Sequence, residues 1–389
     1  MNSPAGKHFD VVVLGVGSMG SATCFYLAKQ GLSVLGLEQF DIPNEYGSHG
    51  GQSRIIRKAY FEHPDYVPLM IRAYENWKDL ESLTGTKVYY ATGLLYAGKR
   101  EQLLVRGVRE SAAKYNIKVN GISATEAKKQ FPQFEIPDDY DILFEPDAGF
   151  LLPANCISLF AREAKKLGAD IRTNQKVKSW REVENKIMVK TEEEEFTCAK
   201  LVITAGPWAS KMIPELAAIL KVTRQVLSWV EPEIKENFEL GKLPCWMIVD
   251  GDDKGCYYGF PVLPPENFEG PSGLKLAYHY PGLVTDPDDV NRNTDSADES
   301  NLIDALKKFI PGGYKSTIEL KTCMYTNTPD EDFIIDFLPG HENIVVATGF
   351  SGHGFKFASV VGEILADLAT NGKTDLPIGF LNAHRFKII

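Results

Sequence analysis

A glycine motif and an acid near the start of the chain have the spacing of a dinucleotide-binding site. The segment GVGSMG at 15–20 has the pattern GxGxxG, and Glu38 lies eighteen residues after its last glycine. In such motifs the glycines permit a tight turn, close approach of backbone amides to a pyrophosphate, and close packing of helix on strand. A carboxylate at this distance suits a ribose hydroxyl. The motif alone does not separate FAD from NAD. The predicted nucleotide contacts are Gly15, Gly17, Ser18, Met19, Gly20 and Glu38.

Two arginines lie three residues apart in the segment GSHGGQSRIIRKAY at 47–60. If this segment is helical, Arg54 and Arg57 share one face while the two isoleucines between them are buried. A guanidinium is permanently charged and forms paired hydrogen bonds, so the two arginines suit a carboxylate or a negatively charged cofactor. Surface arginines are the commoner explanation of this spacing, but the glycines that precede it favour a site.

A glycine-rich loop near the C terminus is a third candidate. The segment VVATGFSGHGFKF at 345–357 reads as a strand, a flexible loop and the start of a helix. A helix N terminus presents free N–H groups and a positive dipole end, which would stabilise an anion such as a reduced flavin. His353 and Lys356 lie at that same end. The alternative for Lys356 is a solvated helix lysine.

Aromatic and basic side chains lie on two predicted strands, GCYYGFP at 255–261 and GLKLAYHY at 273–280. If these strands are adjacent, their side chains line one pocket; a sheet with a solvated face explains the pattern equally well. The residues concerned are Tyr258, Phe260, Lys275 and His279.

The six cysteines include no CxxC pair, which argues against a zinc centre or a thioredoxin-like redox site, and no metal site is predicted. Cys323 lies in the segment TCMYTNTPDEDF, just ahead of a polar turn. Most free cysteines are small buried apolar residues. The residues around Cys323 must therefore decide whether it is an exception.

Strands and helices must bring these groups together. Residues 9–14 form an apolar run typical of a buried parallel strand, the helix after it ends near Gly31, and the next strand covers 32–37. A further strand at 200–210 runs into a glycine-containing loop. The C-terminal helix carries apolar residues at helical spacing, namely Phe357, Val360, Val361, Ile364, Leu365 and Leu368.

Length and composition bound the class of protein. A chain of 389 residues is too long for one simple core, so two packed domains are expected. A net charge of −10 argues against nucleic acid or an anionic membrane as partner. The N terminus lacks the features of a secretory signal, no apolar run approaches the roughly 20 residues that span a bilayer, and the C-terminal KII is not a peroxisomal signal. These features predict a cytoplasmic protein with reduced thiols.

Several of these segments, in this order, resemble the monomeric sarcosine oxidases and their relatives N-methyltryptophan oxidase and peroxisomal sarcosine/pipecolate oxidase. The resemblance covers nearly the whole chain and implies an FAD enzyme that oxidises the N–C bond of secondary amino acids. It implies O₂ as electron acceptor, hydrogen peroxide as product and a monomeric state. The segments that carry it are the glycine motif with Glu38, GQSRIIRKAY, ITAGPW, YYGFP, LKLAYH, CMYTNTPDEDFIID and GFSGHGFKF.

The implied fold is that of the amino acid oxidases: a discontinuous α/β FAD-binding domain of Rossmann type and an α+β substrate domain built on an antiparallel sheet. The FAD-binding domain is expected from residues 1–90, 145–225 and 320–389. The substrate domain is expected from residues 91–144 and 226–319.

The resemblance also assigns roles to single residues. It implies that Cys323 forms a thioether with the flavin 8α-methyl group, so that FAD is covalent. Arg57 and Lys356 match the pair that binds the substrate carboxylate. Lys275 matches a lysine that activates oxygen beside the flavin, because a cation there stabilises developing superoxide. Arg54 matches an arginine packed near the flavin ring.

Other matching residues surround the substrate amine and the flavin. Tyr258, His279 and Tyr325 match pocket residues around the amine, so that the expected catalytic residues are Lys275, Arg54, His279, Tyr258 and Tyr325. The further expected cofactor contacts are Ser48, Ser53, Arg54, Gly352, His353, Gly354 and Lys356. The chain departs from the bacterial enzyme at Ser53, where threonine is expected, and at Gly50, where a second histidine is expected. The segment 245–270 also looks longer, which leaves substrate size open.

Three other functions compete with this one. A pyridine-nucleotide dehydrogenase would also use the glycine motif, but it gives no role to Cys323. A non-catalytic flavin-binding module would leave Arg57, Lys356 and Lys275 without a purpose. A flavin dehydrogenase of the same superfamily would pass electrons to a quinone or a partner protein. Within the oxidases, sarcosine, pipecolate and N-methyltryptophan all remain possible substrates.

Overall fold

The structure of the chain, a computed structural model, describes residues 7–251, 255–280 and 282–387. Its strands are β1 (His8–Leu14), β2 (Val34–Leu37), β3 (Arg54–Ile56), β4 (Tyr89–Tyr90), β5 (Leu94–Gly98), β6 (Asn120–Ile122), β7 (Asp141–Glu145), β8 (Gly149–Leu151), β9 (Asp170–Arg172), β10 (Ser179–Val183), β11 (Lys186–Lys190), β12 (Glu195–Ile203), β13 (Lys221–Glu231), β14 (Cys245–Ile248), β15 (Cys256–Phe260), β16 (Leu274–His279), β17 (Ser316–Asn327), β18 (Ile334–Phe337) and β19 (Ile344–Thr348). Its α-helices are α1 (Ser18–Lys29), α2 (Tyr66–Thr84), α3 (Leu103–Tyr115), α4 (Ala124–Gln130), α5 (Pro153–Lys166), α6 (Ala209–Met212), α7 (Ser300–Phe309) and α8 (Ala358–Asn371).

The first sheet contains the predicted nucleotide motif. Its strand order is β10-β11-β12-β1-β2-β9, and β19 joins at β12 and carries β18 at its outer side. β1 pairs in parallel with both β2 and β12. Alternate residues of β1 enter two cores, Val11 and Val13 on one face and Val12 on the other. Burial of both faces explains why this strand is an unbroken apolar run.

Helices α1, α5 and α8 cover one face of this sheet. The approach of α1 to α8 depends on a glycine, because a Cβ on Gly362 would lie 2.5 Å from the Cβ of Ala22. The predicted strand–turn–helix order is confirmed here. α1 ends at Lys29 and Gly31 follows with φ +85°, a conformation that favours glycine.

The second sheet has the order β17-β13-β16-β15-β14-β5-β7-β6. Its neighbouring strands are antiparallel except for β14 and β5, which are parallel. Helix α7 packs on it through an apolar stripe of Leu302, Ala305, Leu306 and Phe309. The first sheet is thus parallel at its centre and covered by helices, and the second is mainly antiparallel. This arrangement confirms the predicted fold class.

A small third sheet has the strand order β3-β8-β4, and Arg54 is the first residue of β3. The interpretation of 54–57 as a helix is therefore wrong. β3 pairs with β8 so that Ile55 lies opposite Phe150. β-branched residues fit such a half-buried strand better than a helix, and in an extended strand residues three apart do not share a face.

The chain passes several times between the two large sheets. Strands β5 to β7 belong to the second sheet and β9 to β12 to the first. Strands β13 to β17 then belong to the second sheet, and β18 and β19 to the first. β13 begins at Lys221 and β17 at Ser316, and both belong to the second sheet. The domain bounds expected from the sequence remain a prediction. No helix among residues 7–251, 255–280 and 282–387 is long and apolar enough to cross a membrane.

Candidate active site

A large open cavity is lined by residues of the glycine motif, β3, β15, β16, β17 and the loop after β19. Most of the residues singled out from the sequence line it: Gly15, Gly17, Ser18, Met19, Glu38, Ser48, Arg54, Arg57, Tyr258, His279, Cys323, Tyr325, Gly352, His353, Gly354 and Lys356. Gly20, Ser53 and Lys275 are not among the lining residues. The cavity thus joins the nucleotide motif to residues expected around a substrate.

The glycine motif forms the tight turn that its sequence predicts. Gly15 has φ +87°, and a Cβ on it would lie 2.6 Å from the carbonyl oxygen of Thr204. A Cβ on Gly20 would lie 1.8 Å from the carbonyl oxygen of Gly15. The absence of a side chain on Gly20 therefore lets α1 pack closely against the turn. The turn covers Gly20, which explains why Gly20 does not line the cavity.

Glu38 holds this turn from the end of β2. Its carboxylate accepts hydrogen bonds from the backbone N–H of Val16 at 2.8 Å and of Phe40 at 3.1 Å. Burial raises the pKa of Glu38, although these hydrogen bonds act in the opposite direction. The carboxylate lines the cavity next to the turn, where a nucleotide hydroxyl would be in reach.

Three residues that line this cavity hold a buried polar atom with no hydrogen-bond partner within the described part of the chain: His49 Nε2, Thr326 Oγ1 and Thr348 Oγ1. Buried polar atoms are normally satisfied, so such atoms mark places where a ligand supplies the partner. The sequence analysis missed all three. No local pattern could have revealed them, because their isolation depends on how distant loops meet.

Arg54 is fixed by a ring of carbonyl oxygens. Its Nη1 donates to Ser53 at 2.8 Å, and its Nη2 donates to Ser48 at 3.2 Å and to Gly50. Part of the guanidinium remains at the cavity wall. The loop 47–53 thereby holds a permanent positive charge in one position.

Lys275 lies behind this loop, on β16. Its Nζ donates to the Ser53 carbonyl oxygen at 2.5 Å and lies 3.3 Å from Ser53 Oγ. The side chain is 1% exposed and lies 4.7 Å from the ring centre of Phe260 and 5.4 Å from that of Trp229. Burial, helped by the charge of Arg54, lowers the pKa of Lys275 well below its usual value. A nearby negative charge would oppose this shift.

Arg57 lies just beyond β3 and is paired with an internal acid. Its Nη2 lies 2.6 Å from both carboxylate oxygens of Glu62, and its Nη1 donates to Ala59 at 3.1 Å. The rings of Tyr60 and Phe61 lie 4.1 and 4.4 Å from the guanidinium carbon. Burial alone would raise the pKa of Glu62, but the charge of Arg57 outweighs it and lowers that pKa to about 2.

Lys356 lies at the start of the C-terminal helix, one short 3₁₀ turn before α8. Its Nζ donates to the His353 carbonyl oxygen at 2.6 Å and lies 3.5 Å from the Tyr60 hydroxyl. Burial, together with the charge of Arg57, lowers the pKa of Lys356 to about 7. Lys356 is buried, so the alternative of a solvated lysine does not hold.

Tyr258, His279 and Tyr325 form the wall next to these cations. His279 Nδ1 lies 3.4 Å from the Tyr325 hydroxyl. Burial lowers the pKa of His279 to about 4, so the ring is neutral at pH 7. Gly352, at φ +81°, admits the Tyr325 ring, because a Cβ there would lie 2.3 Å from it.

Cys323 lies on β17 two residues before Tyr325, so both side chains point to the same face of the strand. The thiol is 2% exposed and lines the cavity. Burial raises its pKa, while the charges of Arg54 and Lys275 oppose that shift. The six cysteines are all buried and form no disulfide within the described residues, and only Cys323 lines the cavity.

Comparison with known proteins gives a consistent group of relatives. A family model described as FAD dependent oxidoreductase matches residues 10–368. Monomeric sarcosine oxidase of Bacillus sp. (strain NS-129) is 39% identical over 383 residues, which cover 97% of each chain. N-methyl-L-tryptophan oxidase of Shigella dysenteriae serotype 1 (strain Sd197) is 34% identical over 388 residues, covering 97% of this chain and 100% of the relative.

A similar solved structure is an open form of NikD, an unusual amino acid oxidase essential for nikkomycin biosynthesis. It aligns with a TM-score of 0.83 and 22% identity over 97% of each chain. At this identity the likeness concerns the fold alone.

Proposed function

The chain belongs to the FAD dependent oxidoreductase family, and from this premise we propose that it is an oxidase of small secondary amino acids, with sarcosine as the first candidate substrate. The predicted resemblance to the sarcosine oxidase group is confirmed, since the identities of 39% and 34% extend over nearly the whole chain. Membership in an FAD family excludes the pyridine-nucleotide alternative.

FAD fits the residues that are present. The motif turn, Glu38 and the fixed charge of Arg54 offer polar contacts along one cavity. His49, Thr326 and Thr348 also line it, and each holds a buried polar atom without a partner among the described residues. When bound, FAD would take two electrons from the substrate and pass them to an acceptor. The chain itself has to bind, orient and shield the reactants.

The observation that carries the proposal is the pairing of two buried cations with a neutral, aromatic wall in that cavity. Arg57 and Lys356 are 2% and 6% exposed, and both line it. We assign the substrate carboxylate to them, because a buried guanidinium and ammonium suit one carboxylate. Glu62 is paired with Arg57, so the substrate carboxylate has to compete with it for the guanidinium.

The neutral wall would then hold the substrate amine. His279 is uncharged at pH 7 and does not repel an amine nitrogen, and the hydroxyls of Tyr258 and Tyr325 can orient it. A hydride equivalent would leave the N-methyl carbon, and water would hydrolyse the resulting imine. For sarcosine the balance is sarcosine, O₂ and water to glycine, formaldehyde and hydrogen peroxide. Orientation by fixed groups supplies much of the rate in such reactions.

We assign oxygen activation to Lys275, with Arg54 as the fixed cation on the flavin side. Lys275 is fully enclosed, and its amine lies against Ser53 directly behind Arg54. Negative charge that develops during the reaction would favour its protonated form, and the cation would in turn stabilise superoxide. We also assign the covalent flavin link to Cys323. A monomeric state, a cytoplasmic location and the domain bounds given above stay predictions.

A second, open cavity supports larger substrates of the same reaction as an alternative. It adjoins the first at Glu62, His279 and Tyr325 and is lined further by apolar residues such as Phe61 and Leu104 and by the acids Asp330, Glu331 and Asp332. A pipecolate ring or a larger N-methyl amino acid would gain room there. Of the segment 245–270, which the sequence suggests is long, residues 252–254 lie outside the described residues.

The test is peroxide release by the purified protein with sarcosine, pipecolate, proline and N-methyltryptophan offered side by side. The proposal expects a dominant response to one of these amines. Flavin reduction without peroxide would contradict the oxidase and favour a dehydrogenase. A flavin that none of the four amines reduces would contradict the substrate class.

A further inference from the structure

Tyr60 is a fully buried tyrosine that contacts both cations assigned to the substrate carboxylate. Its ring centre lies 4.1 Å from the guanidinium carbon of Arg57 and 5.3 Å from Nζ of Lys356, and its hydroxyl lies 3.5 Å from that same Nζ. Tyr60 is not among the described residues that line either cavity. It can therefore act on a bound carboxylate only through the two cations.

The ring of His353 fixes the direction of the Tyr60 hydroxyl. His353 Nε2 lies 3.0 Å from the carbonyl oxygen of Glu331, which can only accept, so Nε2 carries the hydrogen. Burial lowers the pKa of His353 to about 3, so the ring is neutral at pH 7 and its Nδ1 holds a lone pair. The Tyr60 hydroxyl lies 2.6 Å from this Nδ1 and donates to it, since the other acceptor, the His353 carbonyl oxygen, is farther away at 3.3 Å.

The Tyr60 oxygen can then only accept from Lys356. Lys356 Nζ also donates to the His353 carbonyl oxygen at 2.6 Å. An ammonium has three N–H groups, so two contacts with the chain determine where the third one points. Both of these contacts come from Tyr60 and His353.

Close packing holds the two rings in place. The Tyr60 ring centre lies 4.9 Å from that of Tyr66 and 5.2 Å from that of Phe357, and the ring of His353 lies 4.6 Å from that of Phe333. Side chains in such close-packed surroundings have few alternative rotamers. Loss of the Tyr60 hydroxyl should therefore leave the ring where it is.

We propose that Tyr60 and His353 are positioning residues that hold Arg57 and Lys356 at the spacing and direction that suit one carboxylate. The Tyr60 ring packs on the guanidinium, and its hydroxyl, oriented by His353, holds the ammonium. Cations that are already in place lose less conformational freedom when the ligand binds. The inference rests on the proposed assignment of the substrate carboxylate to Arg57 and Lys356, and it adds to that site a tyrosine buried behind it.

The test variant is Tyr60→Phe, which removes only the hydroxyl. Calorimetry at pH 6 measures propionate binding to the FAD-loaded protein, and steady-state kinetics use the amine that it oxidises fastest. We expect the propionate Kd and the KM to rise by about fivefold, the effect of one weak hydrogen bond. The kcat should change by less than about twofold, because the carboxylate is held equally in the ground state and the transition state.

The pH dependence of propionate binding is a readout that a general loss of packing would not move. An oxygen that accepts from Nζ favours the charged form of Lys356, so the pH above which binding weakens should be lower in Tyr60→Phe than in the wild type. The charged groups that act on the pKa of Lys356, namely Arg57, Glu62 and Arg54, are unchanged in this variant. An unmoved pH profile would overturn the inference.

The matched control is Tyr66→Phe, which removes a buried hydroxyl from the same aromatic cluster. That hydroxyl accepts from the backbone N–H of Phe333 at 3.0 Å, and no hydrogen bond among the described residues joins it to Arg57 or Lys356. Tyr66→Phe should keep the propionate Kd and pH profile of the wild type. Equal effects of the two substitutions would mean that packing, and not positioning, is the cause.

The Lys356→Met background separates this inference from the proposed carboxylate site. There the addition of Tyr60→Phe should change the propionate Kd by less than about twofold, because the residue through which the hydroxyl acts is gone. A fivefold change in that background, or a wild-type Kd in Tyr60→Phe alone, would overturn the inference and leave the site intact. Propionate binding by Lys356→Met as tight as that of the wild type would overturn both.

Nitrogen-15 spectra of the wild-type protein test the same network without any variant. At pH 7 the His353 ring should be neutral, with the hydrogen on Nε2 and a hydrogen-bonded lone pair on Nδ1. A hydrogen on Nδ1 would overturn the inference, because the Tyr60 hydroxyl could not then donate to the ring.

Discussion

Arg57 and Glu62 form a buried ion pair in which one guanidinium nitrogen lies 2.6 Å from both carboxylate oxygens. The side chains are 2% and 12% exposed. The cation assigned to the substrate carboxylate thus already has a carboxylate partner from its own chain. If the proposed assignment holds, substrate binding is an exchange of one anion for another, and Glu62 competes with the substrate carboxylate for Arg57.

Replacing Glu62 by glutamine should strengthen substrate binding while it lowers the stability of the fold. We expect the KM for sarcosine to fall about tenfold, which corresponds to roughly 1.4 kcal/mol, because the competing anion is gone. The free energy of unfolding should fall by about 3 kcal/mol, since Arg57 loses its partner. Steady-state kinetics and urea unfolding measure the two effects. Glu193→Gln, at an exposed acid just before β12, is the matched control, and a higher KM in Glu62→Gln would contradict the exchange.

The stability supplied by Glu62 should depend on pH in a defined direction. Its folded-state pKa of about 2 lies below the ordinary 4.5. A lowered pKa contributes stability that is fully present above pH 4.5 and is lost as the pH falls toward 2, by about 3 kcal/mol in total. Urea unfolding at pH 7, 4 and 3 should show the difference between wild type and Glu62→Gln shrinking. A difference that is constant with pH would argue that lost packing is the cause.

Lys356 should make carboxylate binding pH-dependent near neutrality. Its pKa of about 7 means that it loses its charge as the pH rises above that value. Propionate, which has no amine to titrate, should therefore bind more weakly by up to tenfold per pH unit above pH 7. Lys356→Arg stays charged and should bind propionate with a nearly constant Kd. An equal slope in both proteins would assign the titration to another group.

Lys275→Met should affect only the reaction with oxygen. We expect reoxidation of the reduced enzyme to slow by about 10²–10³-fold, the loss typical of one electrostatic stabiliser, with anaerobic reduction by the amine nearly unchanged. Stopped-flow absorbance separates the two half-reactions. Reoxidation by the wild type should also slow at high pH, as Lys275 loses its proton. Lys242→Met, at an exposed lysine, is the control, and equal damage to both half-reactions would remove Lys275 from this role.

Cys323→Ser should release the flavin on acid precipitation, whereas wild-type protein should keep it in the pellet. The reason is the proposed thioether, for which Cys323 is the only cavity-lining thiol among the described residues. Cys245→Ser changes a buried thiol of the same sheet outside the cavity and should retain the flavin. Flavin found wholly in the wild-type supernatant would contradict the covalent link.

Local sequence patterns were enough to predict the part of the fold that contains the glycine motif. The glycine motif and the acid at the end of β2 lie within about thirty residues of one another, and the apolar residues of α8 recur at helical spacing, so both can be recognised from local sequence. The strand at Arg54 was missed because β3 is defined by its pairing with β8, almost a hundred residues later. The Arg57–Glu62 pair and the isolated Nε2 of His49 depend on how loops turn after the strands end, and no spacing rule describes that.

The pairing of β1 with β12 and of β12 with β19 determines when the protein can acquire its cofactor during synthesis. His8 is paired with Thr197, and Ile203 with Val346. At about 5–20 residues per second, the first strand waits roughly 10–40 s on the ribosome for its partner. Cys323, Tyr325 and Lys356 emerge later still. A nascent chain therefore carries an incomplete flavin site until Lys356 has been synthesised, and flavin loading has to follow that point.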